Sequence, residues 1–322
     1  MNWKCVLTSV TGFAVMAACD LHAAQPRYPE RPVRVLVPAP PGGTVDLVAR
    51  TLAPKLSESL NGQFVVDNRA GAGGVIAAEL LTSAAPDGYT LSALYTAFTT
   101  NAALRAKPSY DPVNGIAPIA MVAESPLVLS IHPGLGVGSV KDLISLAKSR
   151  KLLYGSAGNG TGSHILAELM KSMVGVDITH VPYKGAAVAM TAVVAGEVHF
   201  QFTGPVAVLG LAKSGRVKNI AVTSLRRNST MPEIPTMDES GVPGFEAVNW
   251  FGIAAPAKTP VTVITLLNAE ILKALKSRDV IERLGGQGSE VVGSTPEYLG
   301  EFIKRDVEKW RKVVKSANIV PD

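Results

Sequence analysis

The chain has 322 residues, with 31 Lys and Arg against 26 Asp and Glu, a formal charge of +5. Apolar residues make up 47% and charged ones 18%, enough apolar surface to offset chain entropy, which excludes a disordered or acidic-tail protein. The basic residues are scattered rather than clustered, which excludes the basic stripe that nucleic-acid binding requires. At roughly 150 residues per domain, the length fits two domains or one large α/β domain.

The first 24 residues carry Lys4, an uncharged stretch over 5–18 and a small-residue cleavage site at Leu21-His22-Ala23. This pattern is that of an export signal over residues 1–23, too short to span a membrane. Pro26, Pro29 and Pro32 follow at once and argue against a buried helix. Met16-Ala17-Ala18-Cys19 also approximates a lipobox, so the alternative is cleavage after residue 18 and a membrane anchor through Cys19. Cys5 and Cys19 are the only cysteines. The body of the protein is therefore expected to lack structural disulfides, thiol nucleophiles and cysteine-based metal sites. Export without disulfides fits a bacterial periplasm.

After the signal, the β-branched run 32–38 predicts a strand that ends in a Pro- and Gly-rich turn. The apolar positions Val45, Leu47, Val48, Leu52 and Leu56 predict a helix over 45–60. A strand over 63–67, a helix over 75–83 and a strand over 90–95 follow. The alternation resumes with a strand at 127–131, a helix at 140–149, a strand at 152–156 and a helix at 163–174. A strand at 179–183, a helix at 186–195 and strands at 199–202 and 218–223 complete it. Such alternation indicates a largely parallel sheet. Pro-rich segments at 232–243 and 255–260 break it, and amphipathic helices are expected over 261–276 and 296–315. Two α/β lobes are expected, with the final helices packed on the first.

Enzyme signatures are missing from the sequence. There is no Gly-x-Ser-x-Gly elbow, no phosphate-binding Gly-x-x-x-x-Gly-Lys-Ser/Thr loop and no His-Glu-x-x-His pair. The histidines at 132, 164, 180 and 199 lack ligand spacing and fit structural roles. Gly158-Asn159-Gly160-Thr161-Gly162-Ser163 approximates a dinucleotide fingerprint but has Ser163 where the third glycine belongs, so no cofactor is expected. The same segment suits an anion cradle. A helix start has unpaired N–H groups and partial positive charge, which favour a carboxylate. Pro40-Pro41-Gly42-Gly43-Thr44 forms a second such start. Each loop alone would pass for a capped turn; two in separate lobes form a plausible facing pair. Asp46 fits helix-dipole complementation, Asp67-Asn68-Arg69 a structural ion pair or turn, and Trp250-Phe251-Gly252 packing near the lobe junction.

An ordered series of segments then resembles the Bug family, the extracytoplasmic solute receptors of tripartite tricarboxylate transporters. It runs through residues 37–46, 67–74 and 85–91, then 154–164, Val181-Pro182-Tyr183-Lys184-Gly185, Ala221-Val222-Thr223-Ser224, Pro235-Thr236 and Trp250-Phe251-Gly252. The resemblance covers essentially the whole chain after the signal. It implies a type II-like periplasmic-binding-protein fold, two α/β lobes around a ligand cleft, with lobe I formed by 24–123 and 241–322 and lobe II by 124–240. It implies a monomer that captures a small organic acid and delivers it to the permease subunits in the membrane. Carried over by position, the ligand-binding residues of lobe I are Pro40, Pro41, Gly42, Gly43 and Thr44, with Tyr95, Thr96 and Thr99 beside them. Lobe II would contribute Asn159, Gly160, Thr161, Ser163 and His164, then Lys184, Gly185, Phe202 and Thr203. Thr203 stands where many relatives have Asp, which removes a repulsion for an anionic ligand. The alternatives are an exported enzyme acting on a carboxylated small molecule and a ligand-sensing partner of a membrane signalling protein.

Overall fold

The computed structural model describes residues 28–105, 107–158, 161–286 and 288–316; the signal segment, Cys19, Asn159 and Gly160 lie outside them. In chain order the elements are β1 (Val33–Val37), α1 (Thr44–Ser59), β2 (Phe64–Asn68), α2 (Val75–Ser83), β3 (Thr90–Tyr95), α3 (Ala97–Leu104) and β4 (Ile116–Pro126). There follow β5 (Val128–Ile131), α4 (Val140–Ser149), β6 (Leu152–Ser156), α5 (Gly162–Val174), β7 (Ile178–Pro182), α6 (Ala186–Ala195), β8 (Phe200–Thr203), α7 (Pro205–Lys213) and β9 (Lys218–Val222). The chain closes with β10 (Val248–Pro256), α8 (Val261–Leu275), α9 (Arg278–Gly285), β11 (Glu290–Val291) and α10 (Pro296–Ser316).

The strands form two sheets, ordered β11-β4-β10-β3-β1-β2 and β7-β6-β8-β5-β9. The expected parallel pairings hold for β1 with β2 and β3, and for β6 with β7 and β8. Both sheets are nevertheless mixed, because β10 is antiparallel to β3 and β4, and β5 is antiparallel to β8 and β9. The chain enters the second sheet through Leu127, the single residue between β4 and β5, and returns between β9 and β10. Thr223 ties the crossing together. Its hydroxyl accepts from the Leu127 N–H at 2.8 Å, its own N–H donates to the Leu127 carbonyl at 2.9 Å, and its carbonyl accepts from the Ala247 N–H at 2.9 Å.

Helix α10 joins the two lobes. Leu299, Ile303, Val307, Trp310 and Val313 recur at helical spacing on one face. The first three pack with Leu36, Leu94 and Trp250 of the first lobe, whereas Trp310 and Val313 pack with Ile165, Phe202 and Phe245 of the second. Asp306 lies on the same helix, with its carboxylate accepting from Thr99 Oγ1 at 2.6 Å and Trp250 Nε1 at 3.2 Å. Burial pushes this carboxyl above its usual range, and the donors only partly offset it. Trp250 is fully buried, edge-on to Phe302 at 5.5 Å. Trp250→Ala is therefore expected to cost about 3–5 kcal/mol, read as a lower urea midpoint. A loss below about 0.5 kcal/mol, the range of surface substitutions, would show that the junction does not depend on this ring.

Candidate functional site

Between the lobes lies a cavity of about 680 Å³, within the range of small-molecule sites. Its walls follow from the βα connections. The segments after β1, β3, β6, β7 and β8 lead into α1, α3, α5, α6 and α7, and each of these helices brings its first residues to the cavity or its rim. Lobe I contributes Gly43, Thr44 and Val45 at the start of α1, and Thr96 and Ala97 at the start of α3. Lobe II contributes Thr161, Gly162 and Ser163 at α5, Ala186 at α6, and Thr203 and Gly204 at α7. The first N–H groups of a helix have no partner within it and bear partial positive charge.

Two loops are held in shape by their own polar groups. Residues 38–43 fold back over α1, with Gly42 at φ +93 donating its N–H to Asp46 Oδ2 at 2.9 Å. Arg50 and Asn68 also donate to this buried carboxylate, and Asn68 Nδ2 in turn reaches the Ala39 carbonyl at 2.9 Å. Burial opposes ionisation of Asp46, but the hydrogen bonds from Arg50, Gly42 and Asn68 outweigh it and hold the carboxyl below its usual range. Asp46 thus does more than complement a dipole, since it ties the Gly-rich loop to helix and strand. In the second loop, Ser163 Oγ accepts from the Ala157 N–H at 3.0 Å, and Thr161 Oγ1 donates to the Gly158 carbonyl at 2.7 Å.

The cavity gathers eight of the expected site residues: Gly43, Thr44, Tyr95, Thr96, Thr161, Ser163, Phe202 and Thr203. Pro40, Pro41 and Gly42 form the exposed outer turn of the first loop. Thr99 is fully buried beneath the cavity and spends its hydroxyl on Asp306. His164 turns away from the cavity and stacks on His180, centroids 3.9 Å apart, beside Tyr154. Lys184 is exposed, and Ala186 rather than Lys184 or Gly185 meets the cavity.

The sequence reading missed Ala72, Gly73, Asn101, Arg105 and Asn249 as lining residues, and assigned Phe251 to packing alone. Gly73 is fixed there because its carbonyl accepts from both Tyr95 Oη at 3.0 Å and Asn101 Nδ2 at 2.9 Å. The neighbouring Gly74 has φ +99, and a Cβ there would stand 3.2 Å from the Tyr95 ring, so the motif 71–74 shapes the wall beside Tyr95. Among the described residues no Asp, Glu, Lys or His lines the cavity, and no group of three or more His, Cys, Asp or Glu could hold a metal.

Two α/β lobes around a cleft rimmed by helix N-termini define a two-lobed solute-binding receptor. Within that class the chain belongs to the tripartite tricarboxylate transporter family receptors, whose match spans residues 48–319. It is 37% identical over 319 residues to protein BugT of Bordetella pertussis, covering 98% of each chain. It is 36% identical to a structure from R. palustris with adipate, with a TM-score of 0.78 over 92% of this chain and 100% of that one. MatC from Rhodopseudomonas palustris, with bound malate, is 29% identical with a TM-score of 0.73, over 89% of this chain and 100% of that one.

Asp46→Ala is expected to loosen the first loop, costing about 1–3 kcal/mol of stability through the donors left unsatisfied; chemical denaturation measures it. A second expectation concerns pH. Burial, reinforced by His164 and Lys171, lowers His180 from 6.5 to about 4, so between those values the imidazole takes up a proton only in the unfolded chain. Stability should decline as pH falls from about 6.5 toward 4, and His180→Phe should flatten that part of the profile.

Proposed function

We propose that this protein captures a small carboxylate-bearing solute in the periplasm and delivers it to the permease of a tripartite tricarboxylate transporter. The observation that carries this reading is the convergence of helix starts from both lobes on a cleft with no acidic lining residue. Adipate and malate in the related structures support the choice of carboxylate. Receptor relatives, rather than an assembled nucleophile and base, support binding over catalysis. No helix among the described residues is long and apolar enough to cross a membrane.

In this reading a carboxylate is held by N–H groups and hydroxyls at Gly43, Thr44 and Ser163, with Thr161, whose own donors go to the Gly158 carbonyl, and Tyr95, Thr96, Phe202 and Thr203 shaping the space around it. Groups from both lobes act together only when the cleft is closed, so the ligand selects the closed state. We place the lobe boundaries at Leu127, where the chain changes sheet, and just after Ala247, because Val242, Phe245 and Ala247 pack with the second lobe rather than the first. The protein acts as a monomer.

A thermal-shift screen against mono-, di- and tricarboxylates, amino acids and aromatic acids tests the proposal. At a hundredfold excess over Kd, a ligand specific for the native state adds about 2.7 kcal/mol. A rise with one class of acid is the expected result, and no rise with any of them would overturn it. Ser163→Leu should weaken binding of the active acid by at least about tenfold, close to 1.4 kcal/mol, measured on protein that circular dichroism shows to be folded, since the same change also removes the acceptor of the Ala157 N–H.

A further inference from the structure

The cavity's charge is concentrated at one point. Among the described lining residues Arg105 alone carries a formal charge. It is half-buried at the end of α3, and it makes no ion pair among the described residues. Tyr110 does not neutralise it, since that phenol donates to the Phe98 carbonyl at 2.6 Å.

The position of Arg105 follows from its helix. Residues 97, 100, 101 and 104 all line the cavity, and their spacing puts them on one helical face; Arg105 follows directly as the extended residue that ends the helix. Helix α3 therefore runs along the cleft. At 1.5 Å per residue, the backbone of Arg105 stands about 13 Å from that of Thr96. The Thr96 end is the one tied to the lobe junction and the start of α5. Thr96 Oγ1 accepts from the Trp250 N–H at 3.1 Å, and a Cβ on Gly162 would stand 3.1 Å from Oδ1 of the adjacent Asn249. The hydroxyls and N–H groups of the carboxylate subsite thus gather at one end and the guanidinium at the other. Leu104, Leu127, Phe202 and Phe251 supply apolar wall in the same cavity.

We infer that Arg105 is a specificity-determining residue that receives a second carboxylate, so that the solute is an aliphatic α,ω-dicarboxylate. This rests on the carboxylate-receptor reading above. A guanidinium matches a carboxylate through two parallel N–H···O bonds. When the cleft closes over a monocarboxylate, the cation loses water without gaining a partner. A tricarboxylate brings a third negative charge for which the lining has no cation. One guanidinium therefore favours two carboxylates over either one or three.

The test is titration calorimetry of the full chain with unbranched α,ω-diacids from succinate to suberate, the monocarboxylates of the same lengths, and citrate. At the best length the diacid should bind at least about tenfold tighter than its monocarboxylate and than citrate, a difference of about 1.4 kcal/mol. Arg105→Gln should weaken the diacid about 10- to 100-fold and leave the monocarboxylate within about threefold, because it removes one partner of a desolvated charge pair. Arg105→Lys should keep part of the preference, and it serves as the second variant if Arg105→Gln does not fold. A diacid preference that survives Arg105→Gln, an equal loss for both acids, or a wild-type protein that favours monocarboxylates or citrate would overturn the role of Arg105 while leaving the receptor reading intact. Binding of no acid by the wild type would overturn both.

Discussion

In a βα unit the helix begins where the strand ends, so its unpaired N–H groups collect at one edge of a parallel sheet. Here two sheets turn that edge toward the same cleft. Five helix starts, after β1, β3, β6, β7 and β8, reach the cavity or its rim. Each contributes a fixed dipole worth about 0.3–1 kcal/mol toward an anion at an exposed site and up to about 2 where partly buried. An anion site thus arises from backbone geometry, and the acid-free lining keeps that field uncancelled.

Most of the surrounding side-chain chemistry serves to hold this geometry. Asp46 brings a negative charge to the first turn of α1, yet it is surrounded by Arg50, Asn68 and the Gly42 N–H, so its charge is satisfied within the loop. Thr99, directed at Asp306, anchors α3 from below. His164 and His180 stack behind the second loop, and His180 Nε2 lies 2.6 Å from Ser156 Oγ. Burial lowers the pKa of His180, which keeps a positive charge from forming on that ring just behind the hydroxyl-rich loop.

The elements that frame the cavity were legible where sequence and surroundings agreed. The segment 75–83 was readable as a helix because a Gly-rich turn opens it, and 33–37 as a strand because β-branched residues run into Pro. Strands β4 and β10 were not legible. They sit inside the first sheet, buried on both faces, so their alternation is lost. They are rich in Ala and Pro, which disfavour strands, and β10 is further interrupted by register shifts at Phe251 and Ala254. Helix α3 was hidden for a similar reason. Phe98, Thr99, Thr100, Ala102 and Ala103 are all buried, leaving little polar face to set a period, and no capping side chain marks its start. Missing α3 meant missing Asn101 and Arg105, whose place at the cleft depends on that helix. Helix α7 did leave a signal, Pro205 at its first position after Gly204. Likeness to relatives by position identified the loops that form the cavity, but it could not separate side chains that face the space from those that brace it, such as Thr99 and His164.

The long terminal helix bears on how the molecule comes apart. One face of α10 supplies Leu299, Ile303 and Val307 to one hydrophobic core and Trp310 and Val313 to the other. Neither lobe can lose its core without stripping a partner surface from the other, so a single cooperative transition is expected rather than two steps. Clamping the cleft would then protect both cores at once, including strands far from the bound solute.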